Sequence, residues 1–241
     1  MQRLAVAHEK CRLGRGCKPM GLLRRLADNS DPRSLAVRLR RRRVRFFEAL
    51  LARVERPCTV LDVGGTTRFW DLIPSPAMRA GGLRVVLLNT TAAERSTPGL
   101  EVVRGDARTM REFRDREFDV VFSNSVIEHV GEFADQRRMA QEIQRVGVRY
   151  FVQTPNRTFP IEPHFLFPFY QHLPLAAQAF LLSRMRLGWH PREPDMARVR
   201  AVAASVRLRT EAELRALFPG ASIYRERLLG LTKAFVAYHG F

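Results

Sequence analysis

The stretch CTVLDVGGTT, residues 58–67, decides how this chain folds. From Cys58 to Val63 only Thr59 and Asp62 are polar. A short, nearly continuous apolar run of this kind suits a parallel strand buried on both faces. Gly64 and Gly65 follow at once. Glycines at that place let the chain turn tightly into a helix and let a ligand approach the backbone. The pair is not the G-x-G-x-x-G of dinucleotide enzymes. A nicotinamide site would also want an acid at the end of the second strand, and Asn89 stands there.

Four similar runs lie further along the chain. They are RVVLLN (84–89), EVV (101–103), DVVFSN (119–124) and VRYFVQTP (148–155). Helical stretches separate them, and Met139, Ile143 and Val146 mark one helix face. Near the end, Thr210 and Glu213 form a capping box ahead of Leu214, Leu217 and Phe218. SIYRERLLG and TKAFVAY then read as two antiparallel strands closing one sheet edge. The expected fold is α/β: a Rossmann-like, doubly wound sheet of about seven strands, mostly parallel, with an antiparallel C-terminal edge hairpin.

The flanks set the domain plan. Residues 1–30 read as a loose basic arm, and 31–241 as a single domain. That domain opens with a helix over 31–56, capped by Asp31, started by Pro32 and ended by Pro57. Val44, Phe47, Leu51 and Val54 recur at helical spacing on its packing face. An insertion at 156–208 is rich in Pro, Phe and Leu near its start.

The chain has 241 residues and a formal net charge of +17. Three lysines, Lys10, Lys18 and Lys233, stand among 41 basic residues, so arginine carries the charge. A basic surface attracts nucleic acid or anionic lipid, but a solvated basic face explains the same numbers. Cys11, Cys17 and Cys58 form neither a disulfide framework nor a zinc spacing. Cys58 reads as a small core hydrophobe. No apolar run is long enough to span a membrane, and MQRLAVAHEK lacks the core of a secretory signal. The cytoplasm is the expected location, with attachment at a membrane periphery as the alternative.

VLDVGGTT, LLNTT, RGDAR and FDVVFSNSVIEHV, in this order, resemble the class I S-adenosylmethionine-dependent methyltransferases of the type 11/23 group. TPNRTFPIEPHFLFPFYQHLP and LRTEAELRALFP also resemble segments of one subgroup. The resemblance covers about 45 to 239. It implies S-adenosyl-L-methionine as cofactor and assigns roles. Gly64 and Gly65, with Asp62 behind them, would hold its methionine part. Asn89 and Thr90 would lie by the ribose hydroxyls, and Asp106 with Ala107 would face the adenine amine. Ser123 and Asn124 would lie near its amino-acid end.

Two departures stand out. Thr66, Thr67 and Arg68 occupy the region of a third family glycine, and Asn89 replaces the usual acid. An amide oxygen still accepts ribose hydroxyl bonds, without charge assistance. Each position also has a plainer role. Gly64-Gly65 is a strand-to-helix turn, Asp106 caps a following helix, and Asn89 forms a turn.

Methyl transfer is an in-line displacement that needs alignment and a dry site more than a base. His129 and His164 are the candidate catalytic residues. Glu128 and His129 are expected to start the helix after the fourth strand, where Glu128 complements the helix dipole. Some RNA end-methylating relatives bind metal with an acid three positions before such a pair; here that position is Ser125, and no metal is expected. Glu162, His164 and His172 lie among aromatics in the insertion, which is either a lid over an apolar acceptor or a packing element. A membrane-surface role for those aromatics is a third possibility.

The expected activity is methyl transfer to a small, lipophilic acceptor. An alternative is a nucleic-acid (RNA) methyltransferase gripping phosphates with Arg40–Arg43, and another is a non-catalytic binding protein with a degenerate cofactor site. A dehydrogenase stands fourth. The sequence carries no signal for an oligomeric state.

Overall fold

The computed structural model describes residues 21–28, 30–71, 82–91, 96 and 99–241. The basic arm, with Cys11 and Cys17, lies almost wholly outside the described residues. Contacts divide the chain into two units. One comprises Arg43–Asn156 with Arg209–Phe241, and the other comprises Arg157–Leu208 with the residues up to Arg42.

The larger unit is built on one seven-stranded sheet. Its strands are β1 (Cys58–Val63), β2 (Leu83–Asn89), β3 (Leu100–Arg104), β4 (Phe118–Asn124), β5 (Gly147–Pro155), β8 (Ser222–Leu228) and β9 (Leu231–His239). They lie in the order β3-β2-β1-β4-β5-β9-β8. β1 to β5 pair in parallel; β9 runs antiparallel to both β5 and β8. This is the mixed, doubly wound sheet the apolar runs imply. Leu229 and Gly230 turn the final hairpin, both at positive φ (51° and 81°), as a two-residue I′ turn requires.

Alternation along the strands explains the two covered faces. Leu61 and Val63 join one buried cluster with Met139, Ile143 and Val146 of α4 (Phe133–Val146) and Leu214 of α7 (Glu211–Leu217). Cys58 and Val60 point the other way, into a cluster with Phe47, Leu51 and Val54. Successive strand side chains face opposite sides, so an apolar strand needs a helix on each. Cys58 is buried, and burial pushes its thiol up from its ordinary pKa. Thr210 and Glu213 form the capping box at the start of α7.

The first long helix, α2, spans Leu35–Leu51 rather than 31–56. Ser34 Oγ accepts from Val37 N at 3.1 Å and caps it, whereas Asp31 caps only a turn, accepting from Arg33 N at 2.9 Å. At its far end Arg53 N and Val54 N bond back three residues, to Leu50 O and Leu51 O. That tightening ends the α-helix before Pro57 yet keeps Val54 in the core. The Arg40–Arg43 run divides: Arg41 and Arg42 are exposed, while Arg43 is buried. Its guanidinium lies 3.9 Å from the buried carboxylate of Glu226, which Lys233 also approaches at 3.5 Å. Desolvation holds the Arg43 pKa below its ordinary value, partly opposed by Glu226 and Glu128.

The smaller unit holds α1 (Leu22–Ala27), the hairpin β6 (Ile161–Glu162) and β7 (Phe167–Pro168), α5 (Leu175–Arg184) and α6 (Met196–Ala204). Its core is Phe165, Tyr170, Ala179, Leu182, Leu187 and Val199. Arg24 donates to Gly188 O, and Asp195 caps α6 through Ala197 N and Arg198 N.

Candidate functional site

The sheet order reverses beside β1: the chain runs from β1 out to β3, then returns to β4 on the other side. Ligands bind open α/β sheets beyond the carboxyl strand ends at such a point. At the end of β1, Gly64 takes φ 76° and donates its N–H to Leu88 O at 2.8 Å. A Cβ on Gly65 would stand 1.7 Å from Asp62 Oδ2, so only glycine passes over that carboxylate. Asp62 is buried and accepts from Trp70 Nε1 at 2.7 Å. Trp70 lies on α3 (Thr67–Asp71), the short helix entered from the turn.

Asn89, ending β2, donates through Nδ2 to Gly65 O at 2.8 Å. The carbonyl can only accept, so this bond also fixes which end of the amide faces it. Asp62, Gly65, Asn89 and Trp70 therefore form one hydrogen-bonded group. Trp70 was not among the expected site residues. Its signal was an indole N–H eight residues beyond a buried acid, since a buried Trp donor usually finds an acceptor.

Thr90 is exposed beside Asn89. After β3, Gly105 N donates to Asn89 O at 2.9 Å, which joins the next loop to the same place. Asp106 caps no helix. It closes a turn, accepting from Arg108 N at 2.9 Å, and its Oδ2 meets Arg108 NH2 at 2.6 Å. The Arg108 hydrogen bonds hold the Asp106 carboxyl below its ordinary pKa, against desolvation. Arg108 also reaches Asp135 at 3.5 Å. Ala107 is half-buried against the core.

At the end of β4, Ser123 is buried and its Oγ donates to Val63 O at 3.3 Å, tying β4 to the end of β1. Asn124 is half-buried. Ser125 takes φ 56°, its N bonded to Gln153 O and its Oγ to Gln153 Oε1. A non-glycine residue held at positive φ is strained and persists where its surroundings fix it.

Glu128 and His129 do not start the helix. They sit in a 3-10 turn, Ile127–His129, and α4 begins at Phe133. Glu132 and Asp135 form a capping box there, preceded by Gly131 at φ 117°. Glu128 is therefore no dipole partner. It points inward, fully buried, and accepts from Thr154 Oγ1 at 3.1 Å. His129 is half-buried.

His164 lies in the smaller unit. The buried Glu162 carboxylate accepts from His164 N and Phe165 N, both at 2.7 Å, and its Oε1 stands 2.6 Å from His164 Nδ1. With Glu162 ionised, Nδ1 carries the proton and Nε2 is left as the basic nitrogen. Burial raises the Tyr170 hydroxyl pKa, and Glu162 adds to it. His190 stacks on Phe165 at 4.8 Å, and burial lowers its pKa. His172 is exposed.

Residues 73–148 match the family model described as a methyltransferase domain. The chain belongs to the type 11 group of class I methyltransferases. Asn89, Asp106, Ser123, Asn124 and His129 fall inside the matched span of this methyltransferase, and the glycine turn precedes it. None of the curated proteins matches the sequence.

Solved structures share the fold at low identity. A Bordetella parapertussis protein described as a possible exported protein aligns over 98% of this chain and 78% of its own, at 16% identity and TM-score 0.56. A Rhodobacter sphaeroides protein described under zinc-dependent alcohol dehydrogenases aligns over 80% and 87%, at 14% identity and TM-score 0.52. An Aquifex aeolicus SAM-dependent methyltransferase aligns over 90% and 95%, at 12% identity and TM-score 0.46. These descriptions name different activities, so the likenesses speak to the fold alone.

Proposed function

We propose that this methyltransferase uses S-adenosyl-L-methionine and delivers the methyl group to a small, lipophilic acceptor. The observation that supports this best is the bonded group at the switch point, where Asn89 and Asp62 shape the Gly64–Gly65 turn. A turn with no Cβ leaves room for the methionine part of a cofactor against the backbone. In this proposal Asn89 Oδ1 and Thr90 accept from the ribose, Asp106 and the Ala107 backbone meet the adenine amine, and Ser123 and Asn124 border the amino-acid end.

The cofactor, when bound, supplies a methyl group activated on a sulfonium. The chain's own part is to orient it and exclude water, since charge disperses as the methyl moves. A proton must leave the acceptor only where its pKa is high. His129 and His164 have the chemistry to take it, and Glu162 holds the His164 tautomer that leaves Nε2 basic. A phosphate-gripping role for Arg40–Arg43 is weakened because Arg43 is buried beside Glu226.

Calorimetric titration with S-adenosylhomocysteine tests the cofactor assignment. Binding in the micromolar range is expected. Asp106→Ala should weaken it about tenfold, one charge-assisted hydrogen bond, at an unchanged melting temperature. No heat at millimolar ligand would refute the assignment. Labelled methyl transfer into a fractionated cell extract then tests the acceptor class, with label in the lipid-soluble fraction expected. The pH profiles of His129→Ala and His164→Ala identify the base; a profile unchanged from wild type removes that histidine.

A further inference from the structure

The smaller unit carries an apolar surface that its own core does not use. Phe169 is 57% exposed, Phe180 56%, Met185 45% and Leu175 43%. All four fall within 17 residues of sequence, 169–185. The buried residues of α5 are Gln178, Ala179 and Leu182, so Ala176, Phe180 and Arg184, spaced four apart, form its outer face. Phe169 is held at φ 55°, the N-cap of the turn Tyr170–His172. An L-residue in that conformation is strained, and here the strain leaves an aromatic ring in solvent rather than in the core. Both facts mark a surface shaped for contact.

The charge around this surface has one sign. No Asp or Glu occurs from residue 163 to 192, and Arg184, Arg186 and Arg192 are all exposed there. The Arg184 guanidinium lies 5.3 Å over the Phe180 ring, which places a cation directly beside an apolar group. A second copy of the same face would set arginine against arginine. Leu175 and Met185 offer nucleic-acid bases neither a stacking plane nor a hydrogen bond. Aromatic and aliphatic side chains bordered by arginine and free of acid fit the interface of an anionic bilayer.

We propose that the face carrying Phe169, Leu175, Phe180 and Met185 docks the protein on an anionic lipid surface. Attachment is peripheral: no helix among the described residues is long and apolar enough to cross a membrane. The apolar side chains enter the acyl boundary, and Arg184 and Arg186 meet lipid phosphates.

Co-sedimentation of the full chain with unilamellar vesicles tests this. Binding is expected to phosphatidylcholine vesicles containing phosphatidylglycerol, to fall as salt is raised, and to be weak with phosphatidylcholine alone. Phe169→Ser with Phe180→Ser should lower the partition coefficient by about tenfold for each ring. Arg184→Gln with Arg186→Gln should lower it by about fivefold for each charge, on the anionic vesicles only. Leu229→Ser, at a 94% exposed apolar site on the β8-β9 turn, should leave it unchanged. No binding to anionic vesicles at low salt would overturn the proposal. So would equal binding by wild type and the Phe pair, or an equal loss in Leu229→Ser. A wild-type dimer that the Phe pair splits in sedimentation velocity, with no vesicle binding, would assign the face to self-association instead. All these side chains lie on the surface, so matching melting temperatures separate loss of docking from loss of fold.

Discussion

Asn89→Asp should destabilise the protein although it changes no side-chain volume. The amide donates to Gly65 O at 2.8 Å, and a carboxylate cannot donate. The variant loses one hydrogen bond, worth about 1 kcal/mol net. It also sets a negative oxygen against the Gly65 carbonyl at the same place. Together these cost about 2 kcal/mol, at the upper range for one unsatisfied polar group. For a chain of this length that lowers the melting temperature by about 4–8 °C. The substituted carboxyl regains a donor when protonated, so its folded pKa lies above its unfolded one. The deficit is therefore largest at neutral pH and shrinks as pH falls through that raised value. Thermal melts without ligand, at pH 7 and pH 5, measure both effects. The substitution also makes the competing expectations opposite. If Asn89 served only the ribose, adding charge would tighten S-adenosylhomocysteine; if it first holds the glycine turn, the variant binds less tightly. An unchanged melting temperature together with tighter binding would refute the turn-holding role.

Other expectations follow from the buried ions. Glu142 accepts from Arg145 NH2 at 2.8 Å and from Met110 N at 2.6 Å, and the Arg145 bond holds its pKa below the ordinary carboxylate value. A depressed folded pKa gives stability above the unfolded value, about 4.3, that is lost as pH falls through the folded one. Glu142→Gln should cost about 1–2 kcal/mol at pH 7, and the gap to wild type should narrow towards pH 3; urea midpoints at both values check it. Arg43→Ala leaves the buried Glu226 with Lys233 as its remaining ion partner, and should cost about 2–3 kcal/mol. Arg41→Ala, on the exposed side of the same helix, should stay within about 0.5 kcal/mol. Equal melting temperatures for the two arginine variants would contradict the burial of Arg43.

The strands were legible because their signal is local. Cys58–Val63 and Phe118–Asn124 are apolar runs bounded by turn residues, and burial on both faces demands that composition. The capping box at Thr210 and Glu213 was equally readable, because its partners lie three residues apart. Helix ends were less so. Asp31 and Ser34 both suit a cap, and only the backbone path shows that Ser34 reaches Val37 N. Glu128 and His129 misled for a similar reason: the chain makes a 3-10 turn and passes Gly131 before the helix starts.

The sequence by itself determined the doubly wound sheet, the place of the glycine turn and the inward face of α2, since each depends on the period of apolar residues or on neighbours a few positions apart. Tertiary structure alone decided which polar groups meet. Asn89 and Gly65 lie 24 residues apart, Ser123 and Val63 lie 60 apart, and Arg43 meets Glu226 from the far end of the chain. Such pairings follow from strand order and register, and no local pattern encodes them. That is why Asn89 looked in the sequence like a weakened ribose contact and in the fold is the donor that closes the turn.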